Sequence, residues 1–124
     1  MIKSGAQLVQ EVKANITEVS VEQLAASLAK DIVLIDVREP EEFTQAHIPG
    51  SVNFPRGVLE LQLHLHPQFK ELEAPLDELN KHDIYLICRT GGRSALAAES
   101  LQRMGFDQVL SVAGGMMEWN NKGF

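Results

Sequence analysis

The sequence predicts an α/β protein built on an open, mainly parallel five-stranded sheet with helices on both faces. Three observations predict it. Ile32-Val33-Leu34-Ile35 and Ile84-Tyr85-Leu86-Ile87 are continuous apolar runs, not alternating ones, which marks strands covered on both faces. Three weaker strand candidates join them, and helical stretches lie between the strands along most of the chain. Two of the most polar strand ends, Asp36-Val37-Arg38 and Cys88-Arg89, fall where sheets of this kind bind ligands.

The elements follow in order. Residues 6–12 carry a weak signal for a short amphipathic helix, with Leu8, Val9 and Val12 to one side. Residues 1–15 are read as an N-terminal extension and 16–124 as the domain proper. Thr17-Glu18-Val19 forms a brief strand. Ser20 with Gln23 three residues on makes a capping box that opens a helix over 21–30, its inner stripe Leu24 and Leu28. After the 32–35 strand, Pro40 stands in the first turn of a helix over 40–46. Val52-Asn53-Phe54 is a short strand, and 57–79 a broken helical region. Within it Leu59, Leu61, Leu63 and Leu65 alternate with polar residues, a period of two inside a helical stretch. That pattern is compatible with a wall of a substrate entrance, a dimer contact or packing over the sheet edge. The 84–87 strand leads to a helix over 94–104 that buries Ala97, Leu101 and Met104, with Gly105 as its C-cap. Val109-Leu110-Ser111-Val112 is a strand of less pure apolar character. A closing helix over 116–121 follows Gly114-Gly115, with Met116 and Met117 in the core and Trp119 as anchor.

Composition narrows the function. A net charge of −6 over 124 residues argues against nucleic-acid or anionic-membrane partners, which want a basic face. No apolar stretch approaches the roughly 20 residues of a membrane span, and the first residues lack a secretory h-region, so a cytoplasmic location is expected. The chain has one cysteine, which excludes an intramolecular disulfide and a multi-thiolate zinc site within the chain. His64 and His66, two apart, do not share a helical face, and neither a metal nor a cofactor is assigned. His47 is read as a structural hydrogen-bonding group. The sequence does not fix an oligomeric state.

The chemistry concentrates in Cys88-Arg89-Thr90-Gly91-Gly92-Arg93-Ser94, between a buried strand and a helix. Two glycines permit positive φ, so that successive N–H groups can curl into an anion-binding nest. The helix start adds unsatisfied N–H groups, and Arg89 and Arg93 add two positive charges. Such a setting favours the thiolate, the nucleophilic form, and predicts a cysteine that attacks anionic substrates. A lone cysteine at a strand end is more often a small buried hydrophobe; the coincidence of Cys, Gly-Gly and two Arg outweighs that reading. Asp36 and Arg38 either line this site or form ion pairs that hold their strand end, and the second is favoured.

These residues carry a resemblance. Positions 88–94 fill each fixed place of the Cys-Arg-x-Gly-x-Arg-Ser/Thr loop of rhodanese-like sulfurtransferases. Leu34-Ile35-Asp36-Val37-Arg38-Glu39-Pro40-Glu41-Glu42-Phe43 is similar to the first signature of that family. The segment Ala46-His47-Ile48-Pro49-Gly50-Ser51-Val52-Asn53-Phe54-Pro55 is similar to the second, with Ala46 where the family usually has Gly, and Ala113-Gly114-Gly115-Met116-Met117-Glu118-Trp119 to the closing element. The resemblance implies a rhodanese-like fold and sulfur transfer through a Cys88 persulfide. A donor such as thiosulfate would supply the sulfur, and cyanide, an external thiol or a sulfur-acceptor protein would take it. Arg89 would dock the donor, and Arg93 would brace the loop against an acid such as Asp36. Two rivals remain: a cysteine phosphatase or arsenate reductase, whose loop is Cys-x5-Arg where this one is Cys-x4-Arg, and a non-catalytic or redox-sensing module.

Overall fold

In a computed structural model that describes residues 1–124, a five-stranded sheet runs in the order β1-β5-β4-β2-β3 with every pairing parallel. The strands are β1 Thr17–Val19, β2 Val33–Asp36, β3 Val52–Asn53, β4 Ile84–Ile87 and β5 Val109–Val112. The helices are α1 Gly5–Lys13, α2 Val21–Ser27, α3 Pro40–Gln45, α4 Leu59–Gln62, α5 Pro75–Leu79, α6 Gly92–Met104 and α7 Gly115–Asn121, with a 3-10 turn at Leu63–Leu65. This is the predicted open α/β architecture. No helix is long and apolar enough to cross a membrane.

Strands β2 and β4 are buried along their whole length, which is why their apolar runs do not alternate. Their side chains still divide between faces with period two. Val33, Ile35, Ile84 and Leu86 enter a core shared with Leu59, Leu63, Leu79, Ala97 and Leu101. Leu34, Tyr85 and Ile87 enter a second core with Leu24, Met116 and Trp119. Cys88 continues the Ile84 and Leu86 side and joins the first core, beneath α6.

Several expectations are corrected at element ends. Helix α2 stops at Ser27, not at residue 30; Leu28 is its C-cap and is exposed, while Leu24 is fully buried. Met104 is exposed as well. The backbone turns at Gly105, whose φ is +109°, and brings Phe106 back under the end of α6 to fill that space. The four leucines of 59–65 follow helical spacing: Leu59 and Leu63 are fully buried, whereas Leu61 and Leu65 face outward. Met116 and Trp119 are buried, but Met117 is exposed. Helix α1 is firmer than its weak sequence signal, because Ser4 and Gln7 cap it reciprocally.

Candidate active site

Strand β4 delivers Cys88 to the sheet's carboxyl edge, and the loop to α6 wraps its sulfur. The Gly91 N–H donates to Cys88 Sγ at 3.1 Å, and the φ of +106° at Gly91 redirects the chain that follows into α6. The Ser94 N–H, in the first turn of α6, donates to the same sulfur at 3.4 Å. Ser94 Oγ lies 3.5 Å from it. Cys88 is only 1% exposed, so these groups replace water around the sulfur. Only one of the two glycines uses positive φ. Gly92 is instead the first residue of α6, and a β-carbon there would lie 3.8 Å from Val9 Cγ2, so α1 backs the loop.

The loop's far side is fixed by the closing helix. The carbonyls of Cys88 and Arg89 accept from the N–H groups of Met116 and Met117 at 2.8 and 3.0 Å. This close approach requires Gly115: a β-carbon there would stand 2.6 Å from the Arg89 carbonyl group and closer still to the Cys88 oxygen, and its φ is +54°. The Gly114-Gly115 pair thus belongs to the site's scaffold, a role that the sequence alone does not assign.

The charges sort into pairs. Asp36, fully buried, accepts from Arg38 Nε at 3.0 Å and from its second guanidinium nitrogen at 2.8 Å, and that nitrogen also donates to the Ala46 carbonyl at 2.7 Å. Asp36 and Arg38 therefore satisfy each other at the end of β2. Arg93 does brace the loop, but the acid is Glu42 and not Asp36: two parallel bonds of 2.7 and 3.1 Å join Arg93 to the Glu42 carboxylate. The hydrogen bond from Arg93 holds the Glu42 carboxyl down at about 2, and Glu42 in turn raises Arg93. Glu42 is the residue that sequence reasoning misses here. Its only local signal is a place in the first turn of α3.

Arg89 and Thr90 are exposed, and neither side chain has a hydrogen-bond or ionic partner within the chain. Arg89 borders a cleft of about 540 Å³ together with Arg38, Glu42, Gln45, Met117 and Asn120. With Arg38 held by Asp36, Arg89 is the one uncompensated cation on its wall. His47 stacks on Phe43 and its Nδ1 lies 2.8 Å from the Phe43 carbonyl, a structural arrangement. Buried His66 accepts the Gln68 N–H, and its burial lowers its pKa.

The family model described as "Rhodanese-like domain" matches residues 20–122. The chain belongs to the rhodanese-like family. It is 36% identical to the Bacillus subtilis (strain 168) protein named "Putative sulfur carrier protein YrkF" over 124 aligned residues, covering 98% of this chain and 60% of that protein. This chain therefore spans less than two thirds of that relative's length. It is 34% identical to a sulfurtransferase of Allochromatium vinosum, covering 87% of this chain and 92% of the relative. Among solved structures, a protein of unknown function from Rhodopseudomonas palustris, described as a possible tyrosine phosphatase, superposes with a TM-score of 0.79 at 28% identity, over 99% of this chain and 93% of that one.

Proposed function

We propose that this rhodanese-like domain is a sulfurtransferase in which Cys88 carries sulfur as a persulfide, with thiosulfate a competent donor. The observation that carries the reading is the lone cysteine sulfur enclosed by the Gly91 and Ser94 N–H groups in a Cys-x4-Arg loop. A sulfurtransferase relative aligned over most of both chains supports it. The Cys88 thiolate attacks the outer sulfur of thiosulfate. The S–S bond of the donor breaks and its electron pair leaves with sulfite, so the enzyme holds Cys88–S–S⁻. A nucleophile such as cyanide then attacks the outer sulfur, departs as thiocyanate and returns the thiolate. Charge balances in both steps, and no external oxidant or reductant is required.

In this reading the loop N–H groups stabilise negative charge on the sulfur without reorganising. Arg89, unpaired at the cleft, docks the donor's sulfonate. The surrounding −6 chain gives an anion little general attraction, so a single local cation matters more. The acceptor comes from outside the chain, an external thiol or a sulfur-acceptor protein, since Cys88 is the only cysteine.

The phosphatase reading has the Rhodopseudomonas likeness in its favour. Against it stand the loop, one residue shorter than Cys-x5-Arg, and the Arg93 guanidinium, already bound through two nitrogens to Glu42. A direct comparison decides. The protein should turn over thiosulfate and cyanide and leave aryl phosphates untouched. Phosphate release that depends on Cys88, without thiocyanate formation, would put the phosphatase reading in its place.

A further inference from the structure

Ser111 is a buried hydroxyl for which the proposed reaction has found no use. It is fully buried in β5 and is the one polar side chain among Val109–Val112. A hydroxyl taken out of water without a partner costs about 1–3 kcal/mol, so its place in this strand depends on what it touches. Its hydrogen-bond partner is Ser94, oxygen to oxygen at 2.9 Å. Ser94 is also fully buried and has two other neighbours, the Gly91 carbonyl at 3.3 Å and Cys88 Sγ at 3.5 Å.

Each serine hydroxyl has one proton to give. Ser111 has no other acceptor, so it donates to Ser94 Oγ. The single proton of Ser94 is then left for either Gly91 O or the sulfur. While Cys88 is a thiol, its S–H points to Ser94 Oγ and Ser94 donates to the carbonyl. Once the sulfur is anionic it has no proton to give, and the Ser94 proton turns to it as a third donor beside the two N–H groups. Accepting from Ser111 polarises that O–H and strengthens it as a donor.

We propose that Ser111 is a positioning residue for Cys88 chemistry: it holds Ser94 Oγ so that the Ser94 hydroxyl serves the sulfur whenever the sulfur carries negative charge. The inference rests on the reading of Cys88 as a reactive thiol and reaches it from the next strand, through one intervening hydroxyl.

The test is the rate at which iodoacetamide alkylates Cys88 in the full chain near neutral pH, for the wild type, S111A, S94A and the S94A/S111A double variant. The only cysteine makes the label specific to one site. S111A should be slower by about two- to threefold, because losing one modest hydrogen bond lowers the thiolate fraction but makes each remaining thiolate somewhat more nucleophilic, and the double variant should be no slower than S94A, because Ser111 acts only through Ser94. A wild-type rate for S111A overturns the proposal. So does a double variant slower than S94A by the whole S111A factor, the pattern expected of a merely structural hydroxyl. Alkylation needs no sulfur donor, so a failure of sulfur transfer in the wild type would leave this result standing by itself.

Discussion

The carboxyl ends of β2 and β4 lie side by side, Asp36 in register with Ile87 and the Val37 N–H bonded to the Ile87 carbonyl at 2.9 Å. Each carries arginine within three residues of its last polar or reactive group, yet the two ends are finished differently. At β2 the charges close on themselves: Asp36 and Arg38 bond to each other, and the Asn53 amide caps the carbonyls of both from the neighbouring strand at 2.9 Å. At β4 the groups are left for something else. Arg89 has no partner, and backbone N–H groups aim at a sulfur instead of a carbonyl. The proposed sulfur transfer uses the end whose polar groups do not satisfy one another. The two are linked through Glu42, which follows β2 in the chain and holds Arg93 of the β4 loop.

That contrast can be broken from either side. The largest expected effect is on stability, from D36A. Removing one partner of a buried pair leaves a buried cation unmatched and should lower unfolding free energy by about 3–5 kcal/mol, read as a shift of the urea midpoint. A midpoint equal to wild type would mean the β2 end is not the structural one. Next in size is R89Q, which should leave the urea midpoint in place and raise the KM for thiosulfate by about tenfold, the worth of one charge-assisted contact. An unchanged KM would remove Arg89 from donor binding.

The smallest effect belongs to E42Q, because the Arg93–Glu42 pair is about one-third exposed and solvent screens it to under about 1 kcal/mol. Its pH dependence is nevertheless specific. The folded-state pKa of Glu42 is depressed, from 4.5 to about 2. Its contribution is therefore fully present above 4.5 and is lost as pH falls through that window. The stability difference between wild type and E42Q should be flat from neutral pH down to about 5 and shrink on further acidification. A difference that grows toward low pH would have the wrong sign.

How much of this is legible in the sequence depends on the range of the interaction. The doubly covered strands and the Ser20–Gln23 box are local patterns that appear within one residue of where the sequence predicts them, whereas the 88–94 loop gives up its last three residues to α6, which starts at Gly92 and not at residue 94. Arg93 and Glu42 are 51 positions apart, with nothing local to join them, so the sequence points the brace at the more visible Asp36. Leu28 and Met104 show a different limit. Helical period tells which face a residue takes but not where the core beneath that face ends. In 59–65 a period of two coincides with leucines that a helix separates by four, and only the packing against the first core decides between them. Ser111 is visible as the impurity in an otherwise apolar strand, but its meaning lies in a partner 17 positions away.

The most direct test of the central claim is the intact mass of the protein after incubation with thiosulfate and removal of excess donor, for wild type beside C88A. Wild type should gain the mass of one sulfur atom and lose it on addition of cyanide with release of thiocyanate, and C88A should gain nothing. Thiocyanate formation by C88A at the wild-type rate, or turnover by wild type with no mass gained, would contradict a Cys88 persulfide.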